Sequence, residues 1–195
     1  MANEITWRLE HEKIGRLLLH YAIPAVIGTM VNALYNIVDR IFIGQGVGPL
    51  AMAGLTLTFP ILLFLQAFGM LVGAGAATRV SIHLGRKAND MAEKVLGNAL
   101  TLTFIITLVT VVPCMIWMDD LLLAFGGSEQ TIPYARDYLN IVVPGTLLTS
   151  LSFGFNAVMR ASGYPKKAMF TMLIGAVTNV ILDPIFIFWL DMGIK

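Results

Sequence analysis

Two carboxylates stand where a carboxylate is costly. Asp39 closes an uncharged run that starts at Leu17, and Asp183 interrupts one from Ala168 to Leu190. A charge near mid-bilayer costs about 2.5–3.5 kcal/mol on insertion scales, and such residues usually mark function. Each acid has polar neighbours at helical spacing. Asn36, Tyr35 and Asn32 precede Asp39 by three, four and seven residues, which places them on one face beneath it. Asn179 precedes Asp183 by four, and Pro184 follows directly. Proline has no N–H to donate to the carbonyl four residues earlier, here Val180, so an oxygen is freed near Asn179 and Asp183. Carboxylate, amide and carbonyl oxygens suit a hard monovalent cation such as Na+. The same carboxylates could instead take up and release H+. Ligand chemistry leaves both open. A plainer reading also stands for Asp39: beside Arg40 and near a span end, it could pair or snorkel at the interface.

The elements that must carry these residues follow from the distribution of charge. Of 195 residues, 57% are hydrophobic and only 13% charged, and mean hydropathy is +0.78. A soluble domain carries about 25% charged residues, so an integral membrane protein is expected. Uncharged stretches long enough to span a bilayer place five helices at about 17–43, 50–78, 95–118, 136–159 and 168–190. Residues 1–16 form a polar, cytoplasmic N-terminal segment without signal-peptide character, and 17–195 a transmembrane lobe. Ten basic residues (among them Arg16, Arg86, Lys87 and Lys166) lie in one set of loops, and three, Arg40, Arg136 and Lys195, on the other side. This bias puts the N-terminus inside. Trp117 and Trp189 then fall at outer span ends, Trp7 and Leu9 at the inner interface, and the two acids at similar depths in the outer leaflet. A break is expected at Gly44–Pro49, and close helix contact at Gly69, Gly73 and Gly75. Pro24, Pro60, Pro113 and Pro144 read as packing kinks. Gln66, Asn140 and Asn156 either face a cavity or bond a neighbouring helix.

Other functions find little support. The histidines His11, His20 and His83 all sit towards the cytoplasmic side, away from both acids. HExxH, GxSxG and Walker A patterns are missing, so no enzyme is indicated. The single cysteine, Cys114, excludes an internal disulfide. No basic face suggests nucleic acid as a partner.

The run Pro24–Gly28 through Asn32-Ala-Leu-Tyr35-Asn36-Ile-Val-Asp39-Arg-Ile-Phe-Ile-Gly44 resembles the first helix of MATE (multidrug and toxic compound extrusion) transporters. So do Leu84-Gly85-Arg86-Lys87 with Ala92, Arg160-Ala-Ser-Gly-Tyr-Pro165, and Thr178-Asn179-Val-Ile-Leu-Asp183-Pro184, in order along the chain. The resemblance implies twelve helices in two six-helix lobes, of which this chain would supply five, ending before the sixth; the chain reads as the front part of a longer protein. The fold class is thus an all-α, polytopic membrane bundle. In the DinF-like branch of the family an acid in the first helix and an Asn–acid pair in the fifth serve the amino-lobe cavity. They match Asp39, Asn179 and Asp183.

The resemblance further implies secondary active efflux of amphipathic, often cationic, organic compounds, driven by Na+ or H+ and needing no cofactor. Tyr35, Asn36 and Asn156 would line the cavity, and Na+ would sit at Asp39, Asn179 and Asp183. Partners would be drugs or toxic organic cations, the bilayer, and a carboxy-terminal lobe of the same protein; the place would be a bacterial inner membrane. One alternative is a lipid-linked saccharide flippase, although Arg40 is the only basic residue at cavity depth. The other is a membrane protein with a purely structural role.

Overall fold

The computed structural model describes residues 11–46 and 48–189, the side chain of Phe188 excepted. Trp7, Leu9 and Lys195 lie outside the described residues. Five long helices form, as a chain in lipid requires: without water to hydrogen-bond the backbone, each segment must satisfy its own N–H and C=O groups. They are α1 (Ile14–Gly46), α2 (Pro49–Gly85), α3 (Asn89–Ile116), then after a short α4 (Met118–Ala124) the long α5 (Ile132–Ala161) and α6 (Pro165–Pro184). All five are long and apolar enough to cross a membrane. They also run past the apolar stretches. At 33 and 37 residues, α1 and α2 measure about 50 and 55 Å, against roughly 30 Å of hydrocarbon. Hydropathy marks the lipid-facing length, whereas backbone hydrogen bonding continues into the charged ends.

Prolines punctuate the helices in two ways. Pro49, Pro133 and Pro165 occupy first turns, where no N–H is missed. Pro24, Pro60, Pro113 and Pro144 lie inside helices that continue through them. Pro184 ends α6, and a wide π-helical turn follows from Ile185 to Trp189. The break expected at Gly44–Pro49 is narrower than that: α1 continues through Gly46, and the chain departs from helix before Pro49 at Gly48. The α5–α6 corner needs a glycine. Gly163 has φ 89°, and it lets the N–H of Tyr164 reach back to Met159 O at 3.0 Å.

The helices pack as two unequal groups. The larger joins α2, α3, α4 and α5 around two apolar clusters. One buries Ile61, Leu65, Cys114, Met118, Leu122, Ala135, Leu139 and Val143. The other, at the opposite end, buries Ala76, Ala77, Val80, Ala92 and Val158. In the smaller group α1 packs along α6. The α2–α5 crossing is tight because small residues line it. Gly69 meets Ser150 and Gly73 meets Gly154, whereas Gly75 faces open space and takes no part in the contact.

The short α4 was not expected. The third apolar stretch continues without a break to Met118 in sequence, but α3 stops at Ile116 and Trp117 links it to α4. Asp119 and Asp120 favour a helix start there, since acids complement the positive end of a helix dipole. Met118 and Leu122 plug into the first cluster, and Arg136 of α5 holds Asp119 by a bidentate pair of 2.8 and 2.6 Å.

Candidate functional site

Between the two groups lies a cavity of about 1170 Å³ walled by α1, α2, α5 and α6. Pockets for drug-sized ligands run to about 1,000 Å³, so this space takes a bulky organic molecule. Its charged lining residues, among those described, are Asp39 and Arg40. Amides line it from four helices: Asn32 and Asn36 of α1, Gln66 of α2, Asn156 of α5 and Asn179 of α6. Aromatic rings complete the wall, with Tyr35, Phe59, Tyr138, Phe153 and Phe155.

The polar ladder on α1 forms as its spacing demands. Asn36 Nδ2 donates to Asn32 O at 2.8 Å and lies 3.3 Å from Asn32 Oδ1, so the two amides stack one turn apart beneath Asp39. Asp39 is partly buried. The packing of α1 along α6 sets the helices that carry the two acids side by side, although 144 positions separate Asp39 from Asp183 in sequence. Asp183, one turn beyond the lining residue Asn179, is not among the residues that line the cavity. Its Oδ2 is buried and has no hydrogen-bond partner among the described residues. A carboxylate oxygen removed from water without a donor calls for a proton or a cation.

Asn156 does both things the sequence left open. It faces the cavity and it bonds a neighbouring helix: Nδ2 donates to Ala168 O at 2.8 Å and to Thr171 Oγ1 at 3.0 Å. Its Oδ1 is buried without a donor among the described residues. Gln66 also lines the cavity, whereas Asn140 does not. Five of the six expected site residues, Tyr35, Asn36, Asp39, Asn156 and Asn179, thus share one cavity wall.

Sequence reasoning missed two partners. Tyr138 of α5 lines the same cavity as Asp39, Arg40 and Tyr35 of α1. It lies near a span end, where a tyrosine is ordinary, so its type and position carry no signal of a site. Arg40 does not simply leave for the interface: its guanidinium carbon sits 5.5 Å from the ring centre of Phe59, on the cavity wall. No pattern in the sequence pairs those two.

Among the described residues no three His, Cys, Asp or Glu side chains gather as metal ligands. A cation at Asp39, Asn179 and Asp183 would depend on two carboxylates and an amide. Such hard oxygen ligands fit an alkali ion or a proton better than a transition metal.

Comparison with known proteins gives a consistent result. The sequence profile of the MatE family matches residues 24–185. The multidrug export protein MepA of Staphylococcus haemolyticus is 30% identical over 194 residues, covering all of this chain and 43% of its own length. The FAD transporter of Shewanella oneidensis is 32% identical over 175 residues, 90% of this chain and 38% of that protein. Both are named for transport rather than for an enzymatic reaction. Among solved structures, the outward-facing conformation of a multidrug resistance MATE family transporter of the MOP superfamily superposes with a TM-score of 0.85. Its sequence identity is 27%, over 91% of this chain and 39% of that one. The chain spans less than half the length of these relatives.

Proposed function

The chain belongs to the MatE family, and from that premise we propose that it supplies the amino-terminal cavity of a cation-driven exporter of amphipathic organic compounds, many of them cationic. It is a multi-pass membrane protein; we place it in a bacterial inner membrane with its N-terminus in the cytoplasm. The loop charges support that orientation. A second lobe, as in the longer relatives, completes the cleft.

The observation that carries the reading is a cavity large enough for a drug, lined by Asp39 of α1 and by Asn179 of α6, one turn before Asp183. Either acid binds a coupling ion, Na+ or H+, with Asn179 offering an amide oxygen. The aromatic and amide wall, Tyr35, Asn36 and Asn156 included, receives the compound. Exchange follows if the ion and a cationic compound compete for the same negative charge. Neutralising the acids must also change the relative stability of two conformations, because a ligand shifts an equilibrium only through differential affinity.

The flippase alternative gains nothing from the cavity. One guanidinium among the described lining residues is a poor match for a pyrophosphate. A structural role leaves Asp183 Oδ2 without a purpose for its burial.

The test is ethidium efflux from cells expressing the protein together with its second lobe. Asp39→Asn and Asp183→Asn should each abolish ion-driven efflux while membrane insertion stays normal. Full efflux by both variants would overturn the assignment.

A further inference from the structure

The helices α2, α4 and α5 end in the same kind of corner. In each, the residue after the helix cap turns left-handed, and its N–H and the next one reach back to carbonyls of the last turn. Gly126 and Gly163 fill that position after α4 and α5, with φ 90° and 89°. After α2 it is Lys87, with φ 58°. Its N–H bonds Leu84 O at 3.0 Å, and that of Ala88 bonds His83 O at 2.9 Å. Among the described residues Lys87 is the one non-glycine residue with a positive φ. A β-carbon is disfavoured there, so glycine would be the more stable choice. Backbone held against its preference points to a use for the side chain it carries.

Lys87 and Arg86 are both exposed, and neither has a carboxylate within 4.0 Å among the described residues. Arg79, also exposed, lies two turns before Arg86 on the same face of α2. Lys94 of α3 adds a fourth base, against the acids Asp90 and Glu93, so positive charge is in excess. Apolar side chains reach the same level. Ile82, one turn before Arg86 on its face of α2, is 47% exposed, and so is Met91, four residues beyond Lys87. We propose that the α2–α3 corner is a headgroup site for an anionic phospholipid. Lys87 and Arg86 hold its phosphate, Arg79 adds charge nearer the hydrocarbon, and Ile82 and Met91 lie against the chains. A free phosphate would suit the bases but leave those two apolar side chains uncovered. The site requires only that the helices span a bilayer, so it stands whatever the cavity carries.

Native mass spectrometry of the protein with its second lobe, in detergent, tests this by titration with three probes. Dioleoyl-phosphatidylglycerol has the anionic head and the chains, dioleoyl-phosphatidylcholine the chains with a neutral head, and glycerol 3-phosphate the anion alone. Wild-type protein should hold phosphatidylglycerol more tightly than either of the others. Arg86→Gln combined with Lys87→Gly should weaken it by roughly tenfold or more, as expected for two bases at an anionic surface, and leave phosphatidylcholine unchanged. Lys87→Gly alone should weaken phosphatidylglycerol yet raise the thermal midpoint in lipid-free detergent, because glycine suits the left-handed turn. A lowered midpoint would show that the lysine serves stability, against the proposal. Lys166→Gln with Lys167→Gln takes the same charge from the α5–α6 corner and should weaken phosphatidylglycerol far less. Equal losses in the two double variants would mean diffuse attraction and overturn the site, as would wild-type protein without preference for phosphatidylglycerol over phosphatidylcholine. Glycerol 3-phosphate held as tightly as the anionic lipid would overturn the lipid assignment.

Discussion

Gly73 of α2 and Gly154 of α5 meet backbone to backbone. A β-carbon on Gly73 would stand 2.7 Å from the α-carbon of Gly154, whereas one on Gly154 would find Gly73 at 3.6 Å, an ordinary contact. The two positions should thus respond differently to the same methyl group. Gly73→Ala must push the helices apart and should destabilise the protein by about 1–3 kcal/mol. Gly154→Ala should stay within about 1 kcal/mol of wild type, its strain-free methyl offset by better helix propensity. Thermal unfolding of the two purified variants in detergent compares them directly. Equal losses would mean the crossing is looser than described.

The Asn156 amide should prove to be a bolt between α5 and α6. It reaches Ala168 O and Thr171 Oγ1, and Thr171 Oγ1 itself donates to Ala168 O at 2.8 Å. Asn156→Leu should cost about 1–2 kcal/mol. Combined with Thr171→Val in a double-mutant cycle, it should show coupling of about 0.5 kcal/mol or more. Strict additivity would count against a shared bond.

Two residues of α4 should differ sharply in weight. The Asp119–Arg136 pair has good geometry, but its side chains are 54% and 48% exposed. Asp119→Asn should therefore cost less than about 1 kcal/mol, and less still in high salt. Leu122 is fully buried in the apolar cluster, so Leu122→Ala should cost about 2–5 kcal/mol. Chemical or thermal unfolding should rank them in that order; a larger effect at Asp119 would contradict the burial argument.

Charge in the cavity sets the sign of a linkage. Neutralising Asp39, by a proton or by Na+, removes negative charge from the wall. Acidification or added Na+ should therefore loosen ethidium in a binding titration. Asp39→Asn should fix the protein in the neutralised condition and flatten that part of the response. An undiminished response in Asp39→Asn would show that Asp39 does not control it.

The sequence was most informative where one local rule decided the outcome. Uncharged length located the five long helices, and three- and four-residue spacing placed Asn32, Asn36 and Asp39 on one face, where the Asn36–Asn32 bonds form. That the helices carrying Asp39 and Asp183 pack together did not follow from equal depth, because depth does not say which helices touch. The missed features are contacts between helices. Tyr138 opposite Asp39 and Phe59 under Arg40 depend on how α5 and α2 are rotated towards α1. In helices apolar on every side, hydrophobic pattern does not fix that rotation. The α4 helix was missed for another reason: seven residues at the end of an apolar stretch look like more of the same stretch.

Both apolar clusters belong to α2, α3, α4 and α5, and neither takes a residue from α1 or α6. The bundle is thus stiff on one side and compliant on the other. Displacing α2 against α5 would tear interlocked glycines and leucines from their places. Displacing α1 and α6 as a pair disturbs mainly a seam held by the Asn156 amide and the open space beside it. Strain from an occupant of that space would be taken up unequally, with the thin wall yielding and the thick wall acting as its frame.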